Sequence, residues 1–300
     1  MCRSLLQKAV RRGYPDLVEA VVLHLDAIGD LTWLKQRMGV ITFEECWPAG
    51  ESIPYPPDLE GIILQLRRVS KLAKWKDAAG LGSLAYVLSQ DDPSVLDGTD
   101  DDVAIRWVEK GVRVPKRFWG WALAQSEKRE THEFVEQAHA AFQRGGWPWD
   151  KAFIIAAVYL ALEEELPAEE RVIEAPSPGN LFPFWAAIDK HTPEGKIALR
   201  TAAKQVGVSY EQLSWVSFYF ESAVCNQLIS SRWWSKEVMW RLRSIGLEKL
   251  EAEDIWDRSR PVLQELLQDD VKGLEEHIQV NELPEMKEKT QITTQQLTLF

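Results

Sequence analysis

Residues 15–28, Pro-Asp-Leu-Val-Glu-Ala-Val-Val-Leu-His-Leu-Asp-Ala-Ile, decide the fold class. Leu17, Val18, Val21, Val22, Leu25 and Ile28 recur at intervals of three and four, which gathers them on one face of a helix. Pro15 suits the first helical position, where its missing N–H would have no intrahelical partner anyway. The same period continues downstream. Leu31, Leu34, Met38, Ile41 and Cys46 carry a further amphipathic segment that stops at Trp47-Pro48. A Pro-rich connector at 54–57 precedes a helix expected from about Asp58 to Trp75. Residues 91–102 hold six aspartates with Pro93 and Gly98 and read as a loop. Helices are expected at about 101–110, 115–126, 130–144 and 149–165. Thr192-Pro193-Glu194 reads as a helix cap with proline in the first turn, and Gly207 as the end of that helix. Ser209-x-x-Gln212 has the form of a capping box that opens the next one. No stretch alternates with period two for long enough to place a sheet. The expected fold class is all-α, a multi-helix globular body.

A break at Ala175-Pro-Ser-Pro-Gly-Asn180 is expected to divide that body into two helical subdomains, 1–174 and 181–278. Periodicity fails after about Val280. Residues 279–300 contain the polar run NELPEMKEKTQITTQQ and are expected to form a disordered tail.

Composition sets limits on function. With 45% hydrophobic and 27% charged residues, the 300-residue chain is ordinary globular material. Its net charge of −11 disfavours a protein that coats DNA by bulk charge. The excess is uneven: residues 248–276 hold ten acidic and four basic side chains, so the rest is only mildly acidic. Cys2, Cys46 and Cys225 are sparse, odd in number and form no Cys-x-x-Cys pair, as expected in a reducing interior. The start, MCRSLLQKAVRRGY, meets basic residues without an apolar signal core, and the longest apolar run, Ala152 to Leu162, is 11 residues. No membrane association is expected, and the location expected is cytoplasmic, with the nucleoid or replisome.

The 14 tryptophans outnumber the 6 tyrosines and the 10 phenylalanines. Several sit beside cations. Arg67-Arg68, Lys71 and Lys74-Trp75-Lys76 form one cluster; Arg106, Lys110, Arg113, Lys116-Arg117-Phe118-Trp119 and Trp121 form a second; Arg232-Trp233-Trp234 forms a third. Aromatic faces beside positive charge suit stacking on single-stranded nucleic acid. The candidate contacts are Arg67, Arg68, Lys74, Trp75, Lys116, Arg117, Trp119, Arg232 and Trp233. The competing reading makes most of these tryptophans core, with arginine stems packed alongside.

Catalytic patterns are thin. His132-Glu133-x-x-Glu136 lacks the second histidine of a zincin, and the single Glu136-x-x-His139 falls short of the two copies a di-iron bundle needs. Asp97, Asp100, Asp101 and Asp102 have no EF-hand spacing and read as a solvated turn rather than a Mg²⁺ site. Asp189-Lys190-His191-Thr192 reads as local capping. There is no Gly-x-Ser-x-Gly elbow and no phosphate loop. The expectation is a non-enzymatic protein with no cofactor and no metal.

The last five residues, Gln296-Leu297-Thr298-Leu299-Phe300, are similar to the Gln-Leu-x-Leu-Phe peptide by which bacterial polymerases and mismatch-repair proteins hold the DNA polymerase III sliding clamp. The resemblance implies that the leucines and the aromatic enter an apolar groove while the Gln296 amide gives directional hydrogen bonds. A flexible tether from about 280 to 295, roughly 16 residues, would span about 20–25 Å. At the other end, Ser4-Leu-Leu-Gln-Lys-Ala-Val-Arg-Arg-Gly13, Lys35-Gln-Arg37 and Val40-Ile-Thr-Phe-Glu-Glu45 resemble the helical region after the ATPase module in the replication-associated recombination protein A family of AAA+ proteins. Glu44-Glu45-Cys46-Trp47-Pro48 departs from that family's Glu-Asp-x-Gly turn. This second resemblance implies a collar-like segment at 1–48, with AAA+ or other replisome subunits as partners. Together they imply a replication or repair accessory protein of a bacterium or phage, held to the clamp, beside primed or single-stranded DNA. Two alternatives stay open: a clamp-tethered, nuclease-like enzyme, and an inhibitor that occupies the clamp groove.

Overall fold

The computed structural model describes residues 1–53, 57–127, 131–163, 171–174, 184–229 and 231–278. It is all-α: among these residues there is no strand, and only three isolated bridges. The first three helices are α1 (Cys2–Arg12), α2 (Pro15–Ala27) and α3 (Leu31–Glu45). Gly13 ends α1 at φ +80°, and a side chain there would meet Ile173 and Asn226. Leu17, Val18, Val21, Val22 and Leu25 are buried, as their spacing predicts, whereas Ile28 lies past the helix end and is exposed.

α4 (Leu59–Ser70) is opened by the Asp58 carboxylate, which accepts the Gly61 N–H at 2.8 Å. Here the sequence misleads. The helix expected to reach Trp75 stops at Ser70, and Leu72, Lys74 and Trp75 instead form isolated bridges to distant segments. Backbone pairing across the molecule replaces the helical ladder. The N–H groups of Ala73, Lys74 and Trp75 donate to the carbonyls of Arg171, Gln227 and Glu45 at 2.8, 2.8 and 2.9 Å. Local periodicity has no access to partners that lie thirty or more residues away.

α5 (Asp77–Ser89) is the central helix, packed against α6 (Asp101–Arg113), α9 (Pro148–Glu163) and α12 (Arg232–Ser244). Its small residues permit this. A Cβ on Gly80 would collide with the Trp233 backbone, and one on Gly82 would come 2.8 Å from the Ala152 carbonyl oxygen. α7 (Pro115–Ser126) and α8 (His132–Gln143) complete the first half of the chain.

In the second half lie α10 (Pro193–Val206), α11 (Tyr210–Ser217), α13 (Lys249–Leu266) and α14 (Gln268–His277). The predicted caps are present. Thr192 Oγ1 accepts the Gly195 N–H at 3.1 Å, Gly207 ends α10 at φ +74°, and Ser209 and Gln212 bond reciprocally. A π-helical turn, Phe218–Ser222, follows α11. One hydrophobic cluster contains residues from both sides of the expected break, from Leu5 to Ile278. The break itself, at 175–180, and the tail, 279–300, lie outside the described residues.

Candidate functional site

The three basic aromatic clusters meet different fates. In the first, Lys74 is fully buried: its ammonium donates to the Val69 carbonyl at 2.9 Å, the Ser70 carbonyl at 3.2 Å and the Leu72 carbonyl. It thus caps the end of α4, whose last carbonyls have no helical partner. Burial pushes its pKa down to about 8. Trp75 is half-buried and bridges to Cys46. Arg67 is half-buried, paired with Glu19 and, at 3.3 Å, with Asp16; Arg68 is half-buried too.

Lys74 therefore leaves the set of nucleic-acid contacts, because its head group is surrounded by carbonyls inside the protein. Trp233 leaves it for a similar reason. It is fully buried at the crossing of α5 and α12, with Arg232 stacked over its ring at 4.7 Å. Arg232 stays exposed, 3.7 Å from Asp101. Trp119 is also interior, stacked on His139 with ring centres 4.6 Å apart.

The second cluster is the surface one. Val103, Arg106, Trp107, Lys110, Arg113 and Val114 are exposed along one stripe of α6, and Lys116, Arg117 and Gly120 are exposed on α7. Trp107 is 46% exposed. Trp121 supports it from α7, with ring centres 5.7 Å apart and planes 29° off parallel. The Lys110 ammonium lies 5.6 Å from the centre of the Trp107 ring. Among the described residues, the side chains of Arg106, Lys116 and Arg117 have no hydrogen-bond or ion-pair partner.

Arg113 differs: it holds Glu109 and, at 2.7 Å, Asp91, a residue at φ +66°. Arg106, Glu109 and Arg113 line a shallow depression of about 310 Å³ with Leu88, Asp91 and Pro93. Sequence reasoning missed Trp107. Its signal was the three- and four-residue spacing of Arg106, Trp107, Lys110 and Arg113, which marks an outward face.

Elsewhere, the interior holds a charge network that sequence reasoning also missed. Glu45 is fully buried; its carboxylate accepts Arg11 Nη2 at 2.6 Å and Lys76 Nζ at 3.0 Å. Glu44 lies 3.1 Å from Arg11 and 3.7 Å from Arg37, and Arg37 pairs with Asp150 on α9. Three cations thus face three carboxylates. Burial alone would push the Glu45 carboxyl up, but Arg11 and Lys76 outweigh it and hold it at about 2. Arg11 also donates to the Ser222 carbonyl, and Arg12 to Glu221 at 2.7 Å, which ties α1 to the π turn.

Nearby, Tyr219 donates its O–H to Glu237 at 2.8 Å, and the Lys190 ammonium lies 4.9 Å from the Phe218 ring centre. Burial pushes Lys190 down to about 7.

The aspartate-rich loop is likewise occupied. Asp97 and Asp101 pair with Lys236 at 2.9 and 3.5 Å, and Asp102 accepts the N–H groups of Asp97 and Gly98. His132 lies 3.5 Å from Glu136 at the surface. Among the described residues, no three His, Cys, Asp or Glu side chains are grouped as metal ligands, and no helix is long and apolar enough to cross a membrane. Gln296, Leu297, Leu299 and Phe300 lie outside the described residues.

Compared with protein families, with curated proteins and with solved structures, the chain shows no match. Fold and surface together define an all-helical protein with a balanced ionic interior and a basic, aromatic outer face.

Proposed function

We propose that this chain is a non-enzymatic accessory protein of DNA replication or repair, recruited to a bacterial sliding clamp by its last five residues. The observation that carries the reading is the sequence Gln296-Leu297-Thr298-Leu299-Phe300. Two leucines and a phenylalanine in such a peptide gain about 1.5–3 kcal/mol each on burial, so a preformed apolar groove would hold them well. Seventeen residues, the polar segment 279–295, separate the peptide from Ile278, so docking it makes no demand on the helical body. The ionic interior fits a scaffold role: its carboxylates and cations are paired with one another rather than presented to a substrate.

Binding of the full chain to a purified bacterial clamp, measured by surface plasmon resonance without DNA, tests the proposal. A chain ending at Gln295 is expected to lose at least tenfold in affinity, since two buried apolar side chains alone are worth about 3 kcal/mol or more. Equal binding after truncation, or none by the intact chain, would sink the reading.

A further inference from the structure

We propose that the exposed face of α6 and α7 binds single-stranded DNA, with Trp107 as a stacking platform and Arg106, Lys110, Lys116 and Arg117 as phosphate contacts. Three observations carry this.

The first is the tryptophan pair. Trp107 keeps 46% of its surface open although it belongs to a fold that buries Trp47, Trp119, Trp185, Trp233 and Trp256. The ring is held from α7 by Trp121 at 5.7 Å. A flat aromatic fixed on one side offers a base a surface that needs little ordering on binding.

The second is the state of the charges. Arg106, Lys116 and Arg117 have no ion-pair partner among the described residues, and Lys110 touches only the Trp107 ring. Scarcity of acids is not the reason, for the chain carries 46 acidic residues. Several nearby carboxylates are engaged elsewhere: Glu109 and Asp91 with Arg113, Asp101 with Lys236, and Asp102 with the N–H groups of Asp97 and Gly98. A local positive surface therefore persists on a protein of net charge −11.

The third is geometry. The stripe from Val103 to Val114 is roughly 16 Å long at 1.5 Å per residue, and α7 starts directly after it at Pro115 and folds back so that Trp121 meets Trp107, which puts Lys116 and Arg117 beside the corner at Val114. Cations along such a track follow a backbone while the ring takes a base.

Stacking favours a single strand over a duplex, whose base faces are already covered. The choice of DNA over RNA rests on the clamp reading; the polynucleotide contact does not.

The test uses the full chain without clamp and a fluorescein-labelled dT20 oligonucleotide, read by anisotropy. Four phosphate contacts predict a slope of log K against log salt of about −3. Trp107→Ala is expected to weaken binding about tenfold, and R106E/R117E to abolish it, while Lys272→Ala on α14 leaves it unchanged. Helical circular dichroism checks that each variant is folded, and Trp107→Phe, which keeps a ring, should retain most of the affinity.

Absence of dT20 binding, or binding untouched by both face variants, overturns the proposal whatever the clamp experiment returns. Tighter binding of a 20-base-pair duplex overturns the single-strand assignment, and tighter binding of rU20 overturns the assignment to DNA. Capture of a protein by this face in place of dT20 overturns it as well.

Discussion

Lys74-Trp75-Lys76 and Lys116-Arg117-Phe118-Trp119 look alike as sequence, and the fold treats them in opposite ways. In the first, both lysines are buried: Lys74 caps α4, and Lys76 joins Arg11, Glu44 and Glu45. In the second, both cations point to solvent and the aromatics turn inward. The difference lies in what each segment can offer its backbone. Residues 72–75 leave the helix and pair with three distant segments, so Lys74 and Lys76 are carried into the interior, where a charged head group needs carbonyls or counter-ions around it. Residues 115–126 stay helical, so Lys116 and Arg117 remain on an outer face. A basic aromatic run is thus ambiguous until its backbone partners are known.

The comparison breaks most easily at Glu45. Glu45→Ala leaves Arg11 and Lys76 buried without their main counter-charge and is expected to cost about 3–5 kcal/mol in denaturant unfolding. Arg106→Ala at the surface should stay within about 0.5 kcal/mol. Equal costs would mean that the interior charges are solvated after all.

Acid sharpens the same contrast. The Glu45 carboxyl is held at about 2 against an ordinary 4.5, so its stabilising contribution is complete above about pH 4.5 and is lost as pH falls toward 2. The difference in stability between the parent and Glu45→Gln should therefore shrink across that window, read from urea midpoints at successive pH values. A constant difference would show that Glu45 does not titrate there.

A smaller, salt-sensitive effect is expected at Lys236, which bonds Asp97 at 2.9 Å on the rim between α12 and the aspartate loop. Lys236→Ala should cost about 0.2–1 kcal/mol, falling with added salt.

Much of the architecture was legible beforehand. The spacing of Leu17 to Leu25, the proline at the start of α2 and the caps at Thr192 and Ser209 are local chemistry, fixed by neighbours within four residues. The end of α4 was not, because its terminator is the tertiary pairing of 71–76. Of the candidate surface, Lys116 and Arg117 were found by composition, whereas Trp107 needed knowledge of which side of α6 faces out. The ionic network gave only the Glu44-Glu45 doublet as a trace, since Arg11, Arg37, Lys76 and Asp150 lie far apart in the chain.

The sequence by itself determined an all-helical chain and several of its helix starts, because periodicity and capping are properties of adjacent residues; the central helix at Asp77–Ser89 was not among them. Only the tertiary structure decided which cations are counter-ions in the core and which stand free on the surface. Burial and ion pairing depend on partners brought together from distant positions, and no window of sequence contains them.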